Sequence, residues 1–392
     1  MEVRPRVIKA SLSIATRTLF FFIISVVVYS STSGEEAVSF FQLLFLQTVL
    51  ITFLSASSYF RMLDIKTDLN AISSLSGHLF FSLIGSVLLP LLYFVIFSQN
   101  EHFTIYFLLG IGGGAASISG ALTGHTLKQG RVSSAFTPSI LSALICLILL
   151  YLNPEKSLSI YLYTVVLYQV LTALFLVFVN LKLFKQIAVN GAFVLIKQLA
   201  THFKSNLLFG GVNTYAVFLL FYFREEWSRN IDSQVAASVF FFIRMSDIGL
   251  QLMTTVLASH EKLNILPKIF HFKTVACVII GYFICVNLID IEINFEHENL
   301  YHSLSILTNQ ILIDLIRYPL ASLFLYQVSL AQKSDYGWFV FIPISVVHIL
   351  AIQMHWHNQA AAIYWFMLTT SVVGLIVFYL QNRFCKKQTH SQ

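Results

Sequence analysis

The chain has 392 residues, of which 57% are hydrophobic and only 11% are charged, and it contains 37 phenylalanines. A typical soluble domain is about 25% charged, and a soluble fold of this length could not bury so much apolar surface. The composition therefore excludes a soluble enzyme, a disulfide-stapled secreted domain and a disordered hub, and it indicates an integral membrane protein. The net charge of +6 is interpreted through its distribution across the membrane rather than as a sign of nucleic-acid binding.

The apolar runs predict an all-α membrane fold, because about 20 apolar residues are needed for one helical span. We predict about twelve transmembrane helices, arranged as two six-helix bundles around a central cavity, with a division into residues 1–190 and 191–392. The expected spans are, in chain order, 10–30, 36–60, 75–98, 102–124, 133–152, 157–181, 205–223, 234–258, 274–290, 303–330, 338–354 and 358–381.

The positive charges give an orientation to these spans. With both termini in the cytoplasm, most of the 24 lysines and arginines lie on the cytoplasmic side, whereas Lys156, Arg224 and Arg229 lie outside. Cytoplasmic loops of membrane proteins carry such an excess of Lys and Arg. The sequence therefore predicts a multi-pass membrane protein with cytoplasmic termini.

Motifs for cofactor chemistry are weak. The four cysteines form no Cys-x-x-Cys pair, and no P-loop occurs. The run Gly110–Ala116 matches a dinucleotide-binding pattern formally, but it lies inside an apolar span, where small residues favour close helix packing. His355 and His357 lack an obvious third metal ligand. We expect no metal and no cofactor, apart from a proton or a sodium ion as a candidate coupling ion.

Three arginines lie inside predicted spans, where a charge costs about 2.5–3.5 kcal/mol on insertion scales. Arg244 shares a helical face with Asp247 and Gln251, because the three are spaced by three and four residues. The remaining candidates are Arg17 in the first span and the group Gln310, Asp314 and Arg317 in the tenth. These residues are either neutralised pairs that hold helices together or the lining of a polar pathway. Arginine is suited to phosphate, because its planar fork binds two oxygens and stays charged.

The segment Phe223–Asn230 contains the densest group of charges on the predicted outer side. It is either an ordinary solvated turn with Trp227 at the membrane interface or an outer gate that opens and closes by ion pairing. In the second interpretation Arg224 and Trp227 are gating residues.

One further pattern consists of residues 242–251, Phe-Ile-Arg-Met-Ser-Asp-Ile-Gly-Leu-Gln, together with Arg224, Trp227 and the later Pro267. It resembles the eighth-span region of Wzx-type polysaccharide flippases of the MATE/MOP superfamily. The resemblance implies that Arg244 and Asp247 lie in a cationic cavity, and that Arg17 corresponds to the first-helix arginine of lipid-linked-sugar flippases. Arg317 is assigned to the cavity from its position alone.

The resemblance further implies a flippase of the bacterial inner membrane, not an enzyme. It would move a polyprenyl-pyrophosphate-linked oligosaccharide to the outer leaflet by alternating access, for a surface polysaccharide such as O-antigen. Its partners would be this lipid-linked oligosaccharide, membrane lipid and other polysaccharide-assembly proteins. Asp64, Asp247 and Asp314 are candidates for ion coupling. The alternatives are a MATE-type antiporter of cationic drugs and a membrane enzyme, either a polysaccharide polymerase or an acyltransferase.

Overall fold

A computed structural model describes part of the chain, and everything below refers to that part. The described residues are 18–55, 78–79, 82–88, 90–91, 103–153, 155–183, 218–219, 221–259, 341–355, 362–363, 366, 369 and 373.

The described residues are helical or lie in short turns, and no strand occurs among them. In chain order the helices are α1 (Thr18–Ser31), α2 (Gly34–Ser55), α3 (helical at residues 78–79, 82–88 and 90–91), α4 (Phe103–Lys128), α5 (Val132–Leu152), α6 (Leu158–Val179), α7 (residues 221–229), α8 (Ser233–Ser259) and α9 (Phe341–Gln353). Four of these, α2, α4, α5 and α6, are long and apolar enough to cross a membrane. The chain is a multi-pass integral membrane protein, and the all-α membrane class predicted from the sequence is confirmed.

Several predicted spans agree with the helices to within a few residues. The spans expected at 133–152, 157–181 and 234–258 correspond to Val132–Leu152, Leu158–Val179 and Ser233–Ser259. The spans expected at 274–290 and 303–330 lie outside the described residues, as does the predicted boundary between residues 190 and 191. The organisation into two six-helix bundles therefore stays a prediction.

Local sequence explains where these helices begin and end. Ser33 and Glu36 form a capping box at the start of α2, since each backbone N–H donates to the other side chain. Asp232 caps α8, because its Oδ1 accepts hydrogen bonds from the backbone N–H groups of Gln234 and Val235. Gly130, with φ of +74°, makes the turn between α4 and α5, a conformation that favours glycine.

The chain forms two compact units. Unit 1 contains Met1–Phe21 and Gln42–Phe218, and unit 2 contains Phe22–Phe41 and Leu219–Gln392. In unit 1, α6 packs against both α4 and α5. In unit 2, the Tyr29 ring stacks on Phe241 at 4.7 Å between centroids, and the Tyr29 and Ser238 hydroxyls lie 2.7 Å apart.

The small residues of α4 allow α3 to approach closely within unit 1. A Cβ at Gly110 would collide with the Pro90 side chain and the Ser86 carbonyl oxygen, and one at Gly114 would lie 2.6 Å from the Ser86 Cβ. Close packing of helices, rather than nucleotide binding, therefore accounts for the glycine run.

A second close approach involves two buried glutamines of unit 1. Gln47 on α2 and Gln169 on α6 donate to each other's amide oxygens, at 2.9 and 3.0 Å. A Cβ at Gly112 would collide with both amides. The reciprocal pair satisfies two amides in the apolar interior, and Gly112 leaves the room for it.

We predict that Gly112→Ala lowers the free energy of unfolding by about 1–3 kcal/mol, because the added methyl group overpacks the glutamine pair. The measurement is denaturant or thermal unfolding of the purified protein in detergent. Gly120→Ala is the matched control on the same helix, since nothing lies within 4 Å of a Cβ at Gly120. Equal effects of the two substitutions would contradict the packing argument.

Candidate functional site

The charges of residues 224–229 separate into an exposed set and a buried arginine. Arg229 is an exposed residue whose guanidinium pairs with Glu225 at 2.7 Å and with Glu226 at 3.0 Å. These pairs have the i,i+4 and i,i+3 spacing of one helical turn. Arg224 is only 4% exposed. The ion pairs of Arg229 thus lie on the surface of α7, whereas Arg224 lies in the interior of unit 2.

Arg224 meets an acidic residue of α8 inside unit 2. Its Nη2 lies 3.6 Å from Oδ2 of Asp247, and the Asp247 side chain is 21% exposed. Arg244, one turn before Asp247 and 8% exposed, interacts electrostatically with the same carboxylate. We call Arg224, Arg244 and Asp247 the arginine cluster. It places two cations and one anion together in a region of low exposure, where charge interactions are stronger than in water.

Aromatic rings lie beside the arginine cluster. Phe223 stacks on Phe366 with centroids 3.9 Å apart and planes 5° apart, and the His348 ring lies 4.6 Å from Phe366. His348, on α9, is buried and interacts electrostatically with Arg224. The sequence reasoning missed His348. The signal available was a single imidazole in an otherwise apolar span, since polar groups at such positions are costly and tend to be functional.

The expectation of a turn at residues 223–230 is wrong. Residues 221–229 are helical, and the turn begins at Asn230. Trp227 is fully buried, with its ring 5.7 Å from that of Phe240, and it does not occupy an exposed interfacial position. A run of mixed charges is compatible both with a loop and with a helix that has ion pairs along one face, so the sequence could not distinguish a loop from a helix here.

The other candidate residues can be placed only in part. Gln251 lies in α8, seven residues after Arg244. The remaining candidates lie outside the described residues: Arg17, Asp64, Gln310, Asp314 and Arg317. The structure therefore brings Arg224, Arg244 and Asp247 together, and the roles assigned to the other residues stay predictions.

Within the described part of the chain, no group of three or more His, Cys, Asp or Glu side chains could hold a metal ion. His355, at the end of α9, is exposed and has a φ of +54°. The chemistry that the arginine cluster offers is the binding of anionic oxygens by guanidinium groups.

Comparison with known proteins identifies the fold. No protein-family model matches the chain, and no curated protein matches its sequence. Among solved structures, the chain is similar to an inward-facing multidrug-resistance MATE transporter of the MOP superfamily, with a TM-score of 0.63, 11% identity, and coverage of 97% of this chain and 99% of that chain. The outward-facing conformation of a MATE transporter gives a TM-score of 0.60, 12% identity, and coverage of 100% and 98%.

The chain is also similar to a MOP superfamily transporter from Pyrococcus furiosus that is described as having a binding pocket of reverse polarity. The TM-score is 0.63 and the identity 11%, with coverage of 97% of this chain and 96% of that chain. The chain therefore has the fold of the MATE transporters of the MOP superfamily over nearly its whole length. This fold agrees with the one expected from the sequence resemblance.

We predict that Asp247→Asn lowers the free energy of unfolding by about 3 kcal/mol, because it leaves the buried Arg224 guanidinium without its carboxylate partner and removes a negative charge that acts on Arg244. Chemical unfolding in detergent measures the change. Glu226→Gln is the control, since Arg229 keeps Glu225 at 2.7 Å, and the loss there is expected to be below about 1 kcal/mol. A loss for Asp247→Asn no larger than for the control would mean that the ion pair is not stabilising.

Proposed function

We propose that the chain is a secondary transporter that works by alternating access. Its fold supports this, because it is similar to both the inward-facing and the outward-facing conformations of MATE transporters, at TM-scores of 0.63 and 0.60. Alternating access requires two conformations within a few kcal/mol of each other, each binding the cargo and the coupling ion differently.

The charge of the arginine cluster supports an anionic cargo. Arg224 and Arg244 are both nearly buried, and Asp247, which lies 3.6 Å from Arg224, also acts electrostatically on Arg244. A buried guanidinium binds phosphate oxygens with two parallel hydrogen bonds and keeps its charge at every physiological pH. A cationic cargo would meet repulsion at this position. The single observation that carries the proposal is the pair of buried arginines around Asp247.

Within this class we propose a lipid-linked oligosaccharide as the cargo. Its pyrophosphate supplies the anionic oxygens, and its sugars cannot cross hydrocarbon unaided. A polar pathway through the protein would carry the head group while the polyprenyl chain stays in the lipid. The resemblance of residues 242–251 to polysaccharide flippases supports this choice, and surface polysaccharide assembly would be the cellular role.

A multidrug antiporter is the second candidate, and the structural comparisons favour it over the flippase. Several of the similar structures are multidrug transporters, among them DinF-BH in complex with R6G, at a TM-score of 0.58 and 12% identity. The transporter from Pyrococcus furiosus, for which the reverse polarity of its pocket suggests a different function, illustrates that pocket charge varies within this fold. Both candidates would use this fold, so the charge of the binding pocket is the property that distinguishes them.

Deletion of the gene in its native host distinguishes the candidates. Complete oligosaccharide units that accumulate on the lipid carrier, without polysaccharide at the surface, would indicate blocked translocation and support the flippase. Single units at the surface without long chains would indicate a polymerase. Unchanged lipids and glycans with new sensitivity to cationic dyes would support the antiporter and contradict the anionic cargo.

We predict that Arg244→Ala reduces surface polysaccharide at least about tenfold in the complemented deletion strain, because the loss of a charged hydrogen bond costs about 1.5–3 kcal/mol of binding. Arg244→Lys should give an intermediate level, since it keeps the charge and loses the planar fork. Gel analysis of the glycan measures the effect, and immunoblotting of membranes checks insertion.

Arg229→Gln is the matched control for this experiment, because Arg229 is exposed and pairs only with neighbours on its own helix in the contacts above. It should leave the polysaccharide unchanged. Normal polysaccharide from Arg244→Ala at ordinary expression would remove Arg244 from the proposed site.

A further inference from the structure

Unit 1 contains a buried titratable group that the proposed cargo site does not use. His78 on α3 is 3% exposed, and its Nε2 lies 3.0 Å from the Ser117 hydroxyl oxygen and 3.4 Å from that of Ser82. The two hydroxyl oxygens are 2.9 Å apart, and both serines are almost fully buried. We call His78, Ser82 and Ser117 the imidazole–hydroxyl cluster.

The cluster lies at one end of the close contact between α3 and α4. Along this contact Gly110 meets Pro90 and Ser86, and Gly114 meets Ser86 and Ser82. Ser117 follows on the same face of α4, because it comes seven residues after Gly110. Since there is no room for a Cβ at either glycine, the two helices are closely packed there, and we expect a change at His78 to act on both of them.

Apolar residues pack next to the imidazole–hydroxyl cluster. Leu79 packs with Ala121, Leu122, Leu176 and Leu183 in one buried group. A charge on His78 would therefore be held by the two hydroxyls in surroundings of low polarity, where its presence or absence changes the local energy strongly.

The two serines can serve both charge states of the imidazole. When Nε2 carries no proton, it accepts the Ser117 hydroxyl, and Ser117 in turn accepts the Ser82 hydroxyl. When Nε2 is protonated, it donates to a serine oxygen, and the hydroxyl protons turn to other acceptors. Hydroxyl groups allow this reversal because each is both donor and acceptor, and histidine is the side chain whose charge changes near neutral pH.

Among the described residues, few other charged groups lie along the helices packed here. On α4, His125 and Lys128 follow Ser117 by about two and three turns, and His125 Nε2 lies 2.8 Å from the Gln129 side-chain nitrogen. Leu176 of α6 and the later Leu183 belong to the same buried apolar group as Leu79, and Lys182 is exposed. Gly110 and Gly114 bring no side chain to the contact with α3.

We propose that the imidazole–hydroxyl cluster of unit 1 is a proton-binding site, and that protonation of His78 couples a proton gradient to transport. The coupling rests on the proposed transport function, whereas proton binding does not. Protonation adds a charge and reverses the hydroxyl hydrogen bonds at a closely packed contact between two helices. The proton thereby has a different affinity for conformations in which this contact differs, which is the condition for coupling.

Proton binding is tested on the full-length protein in nanodiscs, labelled with ¹⁵N-histidine. Among the signals of the twelve histidines, we expect one that titrates between pH 5 and 8.5, that is lost in His78→Gln and that persists in the control His355→Gln. Ser117→Ala should shift its midpoint. Ser119→Ala is the matched serine control, because the Ser119 hydroxyl donates to the Ala116 carbonyl of its own helix, and it should leave the midpoint in place. A His78 signal that stays in one state throughout would overturn the proposal.

Coupling is tested in proteoliposomes with an imposed pH gradient, using a fluorescent polyprenyl-pyrophosphate disaccharide and, separately, ethidium as probes. We expect the gradient to accelerate movement of one probe in the wild type and in His355→Gln but not in His78→Gln. Full acceleration in His78→Gln would overturn the coupling. If the wild type moves neither probe under any gradient, the transport function fails and the coupling falls with it, whereas the titration still decides proton binding.

Discussion

The structure depends on one constraint: hydrocarbon offers no hydrogen-bond partners, so polar groups in the spans must find partners within the protein. Threonine hydroxyls such as those of Thr48 and Thr164 donate to the carbonyl four residues earlier on the same helix. The Asn180 amide donates to the Leu176 carbonyl and to Thr126. These helices can therefore carry such hydroxyl and amide groups through the apolar interior with hydrogen bonds made inside the protein.

The same constraint explains why some polar groups pair between different helices. The Gln47–Gln169 pair fixes α2 against α6 in unit 1, and the Arg224–Asp247 ion pair joins α7 to α8 in unit 2. The amide pair is neutral and its two reciprocal hydrogen bonds stabilise the packing, so it offers no charge to a ligand. Two guanidinium groups around one carboxylate retain capacity for an anion, and on this ground the cargo site is proposed in unit 2.

Helix positions followed closely from local sequence. The span predicted at 133–152 is the helix Val132–Leu152, because the length of an apolar run is matched to the thickness of the bilayer. At residues 223–230 one of the two interpretations, an ordinary solvated turn, was wrong. Those residues form ion pairs along a helix, and Trp227 packs inside unit 2. His78 and Ser117 are 39 residues apart, and no local pattern connects them.

The sequence by itself determined that the protein lies in a membrane, where many of its helices begin and end, and which spans contain costly polar residues. These properties depend on composition and on the spacing of neighbouring residues. Only the tertiary structure decided which polar groups meet: that Arg224 faces inward to Asp247, that Arg229 faces the surface, and that His78 lies between two serines. Such pairings depend on how helices distant in sequence pack, and the period of a single helix contains no information about its neighbour.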